Sequence, residues 1–216
     1  MKAKLSMILA LIFIGGCSNK FEAYEYLLEP EISEKAPAKM LVYEAEGDPN
    51  ETVGNAFGAL ISTFFKLKRG HDMEMTAPRA RWPKPADTPK NEWLGIYAIP
   101  VAETVTEIPS DILEEHPELK LEIWEYGLVA EILHIGSYAS ENPTVEKLHQ
   151  FITESGYEIV GPHEEEYLKG PGMFGPGNPD KYYTIIRYPV ALIPKPKLET
   201  ATLDSSMTEA LEETSQ

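Results

Sequence analysis

The chain has 216 residues, which is enough for one domain of moderate size or two small ones. Its hydrophobic content of 43% and charged content of 25% are ordinary for a globular protein. The net charge is −16, with 35 acidic residues against 19 Lys and Arg, and no basic cluster is present. The composition therefore argues against nucleic-acid binding through a phosphate-neutralising face. The same charge would be repelled by anionic lipid headgroups, so membrane attachment requires a hydrophobic anchor.

The N-terminal segment, residues 1–17, has the form of such an anchor. Two lysines precede an apolar run from Leu5 to Ile14, which is too short to span a bilayer and is typical of a secretory signal. The sequence IGGC that ends at Cys17 resembles a bacterial lipobox, in which the cysteine is lipidated. Cys17 is the only cysteine, so no internal disulfide can form. We expect a lipoprotein in the cell envelope; the alternative is an ordinary cleaved signal with an incidental cysteine. Ser18 would favour the periplasmic side of a Gram-negative outer membrane.

A polar leader, residues 18–28, precedes a body that contains an internal repeat. Gly47 and Gly136 are 89 residues apart, and so are Pro100 and Pro189. Two landmarks with one offset indicate two copies of one unit, at about residues 29–102 and 119–192. The whole domain is expected over residues 29–193.

In the first repeat, the pattern from Thr52 to Lys68 predicts an amphipathic helix. The apolar positions on its stripe are Val53, Phe57, Leu60, Ile61, Phe64 and Phe65. Two strand candidates follow at residues 73–82 and 93–101.

In the second repeat, LKLEIWEY and LVAEILHI flank Gly127 and predict a hairpin. A helix then carries Val145, Leu148, Phe151 and Ile152 and ends near Gly156. Two strand candidates follow at residues 164–168 and 181–190.

Each unit thus reads strand, helix, strand, strand, which predicts an α+β fold with the helices on one side of an antiparallel sheet. The other sheet surface would then line a groove between the copies. The tail, residues 194–216, is poor in aromatic residues and rich in Thr, Ser and Glu, so we expect it to be disordered.

Three consecutive carboxylates, Glu164, Glu165 and Glu166, lie in the strand candidate at residues 164–168. Successive side chains of a strand point to opposite faces, so Glu165 points away from the face that carries its two neighbours. If one face is buried, at least one carboxylate is carried into the interior. The alternative is that Glu165 lies at a solvated sheet edge, because charged residues are rarely buried.

The second repeat resembles the GyrI-like small-molecule-binding domain, also called the bacterial effector-binding domain. The matching segments are His134–Tyr138, Glu154–Ile159, Glu165–Leu168 and Thr184–Val190, and the resemblance extends over roughly Glu29 to Leu192. The first repeat matches more loosely. Its HDMEMTAPRARW stretch is also similar to the MTAP stretch of SOUL haem-binding proteins.

This resemblance implies a pseudo-two-fold domain whose groove holds lipophilic, often cationic, compounds. It places the groove carboxylate at Glu165 and a matching aromatic residue, on the same strand face, at Tyr167. Tyr138 is a further candidate wall. Trp82 and Trp93 are candidate walls as well, although large aromatic residues are first of all core residues.

Two other functions, hydrolysis and haem binding, are alternative hypotheses. Some stand-alone GyrI-like proteins resemble hydrolases of cyclopropane-containing toxins; in that case Glu165 would activate water and Tyr167 would stabilise the oxyanion. Haem binding of the SOUL type is the third hypothesis, but His71 and His163, at corresponding points of the copies, are expected to be polar loop residues. We expect no attached DNA-binding domain, which argues against the transcription-sensor role, and no cofactor apart from the haem of the third hypothesis. No metal-ligand spacing appears, and we expect a monomer without a nucleic-acid partner. The Gly/Pro-rich loop at residues 169–177 is longer than the family pattern and is either a lid or a connection.

Overall fold

The computed structural model describes residues 21–85, 87–171 and 177–194. The predicted lipidation site at Cys17 and the predicted tail lie outside these residues, as does most of the Gly/Pro-rich loop. Within the described segments, no helix combines the length and the apolar character needed to cross a bilayer.

Nine strands and three α-helices are present in the described residues, joined by short 3₁₀ turns. The strands are β1 (Glu31–Lys35), β2 (Ala38–Glu46), β3 (Arg79–Trp82), β4 (Leu94–Pro100), β5 (Leu119–Trp124), β6 (Gly127–Ile135), β7 (Tyr157–Ile159), β8 (His163–Lys169) and β9 (Tyr183–Leu192). The helices are α1 (Pro49–Lys68), α2 (Ser110–Glu115) and α3 (Asn142–Glu154). This composition confirms the predicted α+β class.

Eight strands form one antiparallel sheet in the order β1-β6-β9-β8-β3-β4-β2-β5, and β7 pairs with the outer part of β9. At its centre β3, which follows α1, pairs with β8. Outward from this pair lie β4 and β2 on one side and β9 and β6 on the other. The two segments predicted as repeats are therefore joined edge to edge through β3 and β8.

The sheet curls until its two ends approach each other. Two residues separate β1 from β2, and two separate β5 from β6, yet each pair of strands is six positions apart in the sheet. A flat sheet would put strands six positions apart at about 29 Å, since neighbours are about 4.8 Å apart. Three Cα–Cα steps reach only about 11 Å. Only a strongly curved sheet satisfies both connections.

The two long helices, α1 and α3, pack on the same face of the sheet. Leu60 and Phe64 of α1 are fully buried against β2, β3 and β4, and Leu148 and Ile152 of α3 are buried against β6 and β9. The predicted α1 stripe is partly wrong: Ile61 and Phe65 remain 39% and 52% exposed, and the buried face includes Ala56, Thr63 and Leu67 instead.

Each predicted repeat passes from a strand to its helix at a glycine with positive φ. Gly47, after β2, has φ +118° and Gly136, after β6, has φ +146°, a region that residues with a side chain rarely adopt. Each of the two glycines that suggested a repeat thus lies at a turn between a strand and a helix.

The predicted hairpin around Gly127 is wrong. β5 pairs with β2, whereas β6 pairs with β1 and β9, so the two strands lie near opposite ends of the sheet. A glycine between two strand-like segments occurs both in hairpins and at bends where the chain enters another part of a curled sheet. The local sequence does not distinguish these two cases. The strand predicted from residue 73 is also shorter, because β3 covers only Arg79–Trp82.

The described part of the expected leader packs onto the domain. Residues 22–28 form a 3₁₀ helix whose Leu27 is 1% exposed and lies against Leu133 and Ile185. Phe21 stacks on Tyr183 with ring centroids 4.1 Å apart. Phe21, Tyr24 and Leu27, each three residues apart, are the side chains of this segment that pack onto the domain.

Candidate functional site

The three carboxylates of β8 are divided between two buried faces of the sheet. Glu165 is 7% exposed and lies in register with Ala80 of β3 and Ile186 of β9. Ala80 belongs to the core under α1 and Ile186 to the core under α3. Glu165 therefore points to the helix-bearing face, at the junction of the two repeats. We expected the groove on the opposite face, and that expectation is wrong.

A cavity of about 380 Å³ opens beside Glu165. Trp82 and Trp93 of the first repeat form one wall, with ring centroids 5.5 Å apart. The second repeat supplies the other wall, including Tyr188 and His149. The remaining lining residues are Pro83, Lys84, Pro85, Glu141, Gly161, Pro162 and His163. Both repeats thus contribute side chains to one site.

Glu165 belongs to a cluster with Glu141 and His163, whose ligand atoms all lie within 4.8 Å of one another. His163 precedes Glu165 by two residues in β8, so the strand brings both side chains to one face. Its Nε2 lies 3.2 Å from Oε1 of Glu165, but not in the alignment of a hydrogen bond. Its Nδ1 lies 2.7 Å from the Tyr188 hydroxyl. Glu141 reaches the cluster from the start of α3.

Burial and charge shift the pKa values within this cluster. Burial, with the negative charge of Glu165, raises the pKa of Glu141 from 4.5 to about 7, although His163 opposes the shift. Burial alone would lower the pKa of His163, but Glu165 and Glu141 outweigh it and raise that pKa above 6.5. The carboxylates and the imidazole are therefore electrostatically interdependent, which is typical of functional sites.

Tyr167 and Tyr138 lie behind the cavity. Their rings make an edge-to-face contact with centroids 5.6 Å apart, and the Tyr167 hydroxyl is hydrogen-bonded to Glu165. Burial, followed by the charge of Glu165, raises the pKa of both hydroxyls, so both remain protonated donors. Neither residue lines the cavity. Tyr167 thus holds the carboxylate that faces the cavity.

Glu164 and Glu166 point to the opposite face, where they join a buried row of alternating charges. Arg81, Glu164, Arg187 and Glu131 are successive cross-strand neighbours on β3, β8, β9 and β6. The Arg187 guanidinium is 2% exposed; it pairs with Glu131 at 2.6 Å and with Glu166 at 2.9 Å, and it also contacts Glu164. Tyr126 donates a hydrogen bond to Glu164 from across the curl. The row satisfies these carboxylates internally, so they are not available to a ligand.

Among the predicted site residues, Glu165, Trp82 and Trp93 line the cavity, whereas Tyr167 and Tyr138 support it from behind. The sequence reasoning missed Glu141, His149, His163 and Tyr188. His163 could have been found, because it lies two residues before Glu165 in the same strand; it is a strand residue and not the loop residue we expected. It does not meet His71, whose Nδ1 lies 3.0 Å from the Thr104 hydroxyl.

A family model for the GyrI-like small-molecule-binding domain matches residues 28–191. No curated protein matches the chain. Among solved structures, an uncharacterized conserved protein from Listeria innocua is 24% identical with a TM-score of 0.66, and a hydrolase from the same organism is 23% identical with a TM-score of 0.61. Each alignment covers 79% of this chain and 98% of the other.

The C-terminal domain of EcmrR is 13% identical with a TM-score of 0.53, over 76% of this chain and 98% of that domain. At these identities the structural likeness shows the fold alone. The family match, which covers most of the chain, shows more: this chain belongs to the family of GyrI-like small-molecule-binding domains.

Proposed function

We propose that this protein binds a small lipophilic molecule with a positive charge in the cavity beside Glu165. The observation that carries the proposal is the position of this carboxylate: it is almost fully buried, next to an open cavity with aromatic walls. The carboxylates of the opposite face are neutralised by arginines. In the described segments, the only ion-pair partner of Glu165 is the imidazole of His163, which is charged only when protonated. An organic cation bound in the cavity would neutralise the negative charge of the Glu165 carboxylate.

The physical basis is the desolvation of the carboxylate. A buried negative charge is unfavourable unless a cation or hydrogen-bond donors offset it. Tyr167 supplies one donor, and the cavity leaves room for a cation. The faces of Trp82, Trp93 and Tyr188 would attract the same cation through their π-electrons. A volume of about 380 Å³ is within the range of sites for small organic molecules.

The test compares two dyes with one scaffold and opposite charge. Cationic rhodamine 6G should bind the wild type, and anionic fluorescein should not. Glu165→Gln should weaken rhodamine binding about tenfold or more, since it removes the charge and keeps the shape. Glu158→Gln, at an exposed carboxylate of β7, is the matched control and should bind like the wild type. Equal binding of both dyes, or no effect of Glu165→Gln, would refute the proposal.

Hydrolysis of a reactive small molecule is the second candidate, and one contact favours it. His163 and Tyr167 lie on the same face of β8 as Glu165 and both reach its carboxylate, an arrangement that can relay a proton. The assay is product formation from a strained cyclopropane compound, followed by mass spectrometry. Glu165→Gln should abolish turnover with little effect on substrate affinity. A wild type that binds such a compound without any product would leave only the binding function.

We also propose that the protein acts at the cell envelope, attached through a lipid on Cys17. The sequence of residues 1–17 supports this location. Mass spectrometry of the mature N-terminus should find a lipidated Cys17; an unmodified cysteine or another cleavage point would contradict the attachment.

A further inference from the structure

Three buried polar atoms at the cavity have no hydrogen-bond partner. They are Nε1 of Trp82, Oε2 of Glu141 and Nε2 of His163. In the described part of the chain six side-chain atoms have this property, and three of them belong to residues that line this cavity. Buried polar groups are normally satisfied by protein, water or a bound group, so these atoms are available to an occupant of the cavity.

We propose that Glu141, His163 and Glu165 bind a divalent transition-metal ion of the Zn²⁺ type. Their ligand atoms lie within 4.8 Å of one another without any ion present. Bonds of about 2.0–2.1 Å in a tetrahedral site put neighbouring ligand atoms about 3.3 Å apart. The distance of 3.2 Å between Nε2 of His163 and Oε1 of Glu165 already matches this value. The Glu141 carboxylate oxygen, within 4.8 Å of the other two ligand atoms, would move closer to them to complete the set.

The orientation of His163 supports a ligand role. Its Nδ1 faces the Tyr188 hydroxyl at 2.7 Å, and when this nitrogen donates its proton to that oxygen, Nε2 carries the free lone pair. Metal-binding histidines commonly use the second ring nitrogen in this way, which fixes both the tautomer and the ring position. Nε2, the nitrogen that forms no aligned hydrogen bond, is the one that lies 3.2 Å from Oε1 of Glu165.

The charges of the metal-bound cluster fit a dication. When the metal displaces the protons of His163 and Glu141, two carboxylates and a neutral imidazole carry −2 in total, which Zn²⁺ would balance. Lys84 is the cation among the other lining residues, and its Nζ is held at 2.5 Å by the carbonyl oxygen of Glu92. Three protein ligands leave a fourth position free, and the cluster borders the cavity. Three ligands with one open position is the arrangement of catalytic zinc sites.

The sequence could not show this site. Metal motifs are recognised by regular spacing, but Glu141 lies 22 residues before His163, at the start of a helix, and the other two ligands are on a strand. The expectation that no metal is bound rested on that spacing alone.

The experiment uses the purified full-length chain without a histidine tag, treated with EDTA and then freed of it. Calorimetric titration with Zn²⁺ should give one saturable site, and Co²⁺ should develop the visible absorption bands of a tetrahedral complex. Glu141→Gln and His163→Gln should each lower the Zn²⁺ affinity at least tenfold. Glu158→Gln should match the wild type. Circular dichroism melts establish that each variant is folded. No saturable binding, or unchanged affinity in both ligand variants, would overturn the proposal.

The metal and the organic cation are separate inferences about one cluster, and EDTA distinguishes them. Rhodamine 6G should bind the wild type in the presence of EDTA, where no Zn²⁺ is bound, so binding of the dye does not depend on the metal. Glu165→Gln should lose both. If Zn²⁺ fails to bind while rhodamine 6G binds through Glu165, the metal inference fails and the proposed function stands.

Discussion

Replacing Arg187 by Met should strongly destabilise the fold, because it removes the centre of the buried charge row. The guanidinium pairs with three carboxylates, Glu131, Glu164 and Glu166, and both Arg187 and Glu164 are 2% exposed. Breaking a buried ion pair by removal of one partner costs about 3–5 kcal/mol, since the other charge stays buried without compensation.

The structure favours the lower end of that range. Each carboxylate keeps a second cation: Glu131 pairs with Lys35 at 3.0 Å, Glu164 with Arg81 at 2.7 Å and Glu166 with Arg79 at 3.3 Å. The three losses therefore do not add, and we expect the free energy of unfolding to fall by about 3 kcal/mol. That is a large share of the roughly 5–15 kcal/mol that stabilises a typical domain.

Urea unfolding, followed by tryptophan fluorescence and by circular dichroism, measures this difference. Arg69→Met, at an exposed arginine just after α1, is the matched control and should stay within about 0.5 kcal/mol of the wild type. Arg187→Lys should fall between the two, because it keeps the charge but loses the planar fork. An Arg187→Met variant within 1 kcal/mol of the Arg69→Met control would refute the argument that this row needs its central cation (about 1 kcal/mol being the size of an ordinary substitution effect).

Three further predictions concern the glycine turns, the leader and the cavity wall. Gly136→Ala should lower the free energy of unfolding by about 1–3 kcal/mol, because φ is +146° and the new Cβ would lie 3.0 Å from the Ser140 hydroxyl. Gly58→Ala, with open space in mid-helix, should raise it by about 0.5–1 kcal/mol. Chemical unfolding measures both changes, and two changes of the same sign would contradict the prediction. Leu27→Ala should cost about 2–3 kcal/mol in the same assay, since this side chain is fully buried; a change within error would mean that the leader does not stabilise the domain. Trp93→Ala should weaken rhodamine 6G binding about fivefold in a fluorescence titration with folding unchanged, and unaltered affinity would remove this ring from the site.

The site shows which kinds of information a sequence carries. Strand alternation alone predicted that Glu165 faces away from Glu164 and Glu166, because this follows from backbone geometry whatever the fold. The partners of those neighbours were beyond such reasoning. Arg187 meets Glu164 only because β8 lies between β3 and β9, and the strand order is a property of the whole sheet.

The difference between local pattern and long-range packing also explains why other structural predictions were confirmed or wrong. Helical spacing located α1 and α3 because their buried faces follow a local period. The hairpin prediction failed because the signal at Gly127 does not say which strand will be the neighbour. Glu141 has no local signal at all, since its contact with β8 arises only when α3 docks on the sheet. Long-range packing decides what local pattern leaves open.

The curled sheet has a mechanical consequence for recognition. Its two halves are tied at the centre by the backbone hydrogen bonds of β3 and β8, and at the far side by the two short links that bridge the ends. A hinge motion between the halves would have to break the hydrogen bonds between β3 and β8 or stretch the two short links. The walls around Glu165 are therefore held at a fixed separation. A ligand of the proposed site would have to match that separation, and rotations of individual side chains would provide the remaining adaptation.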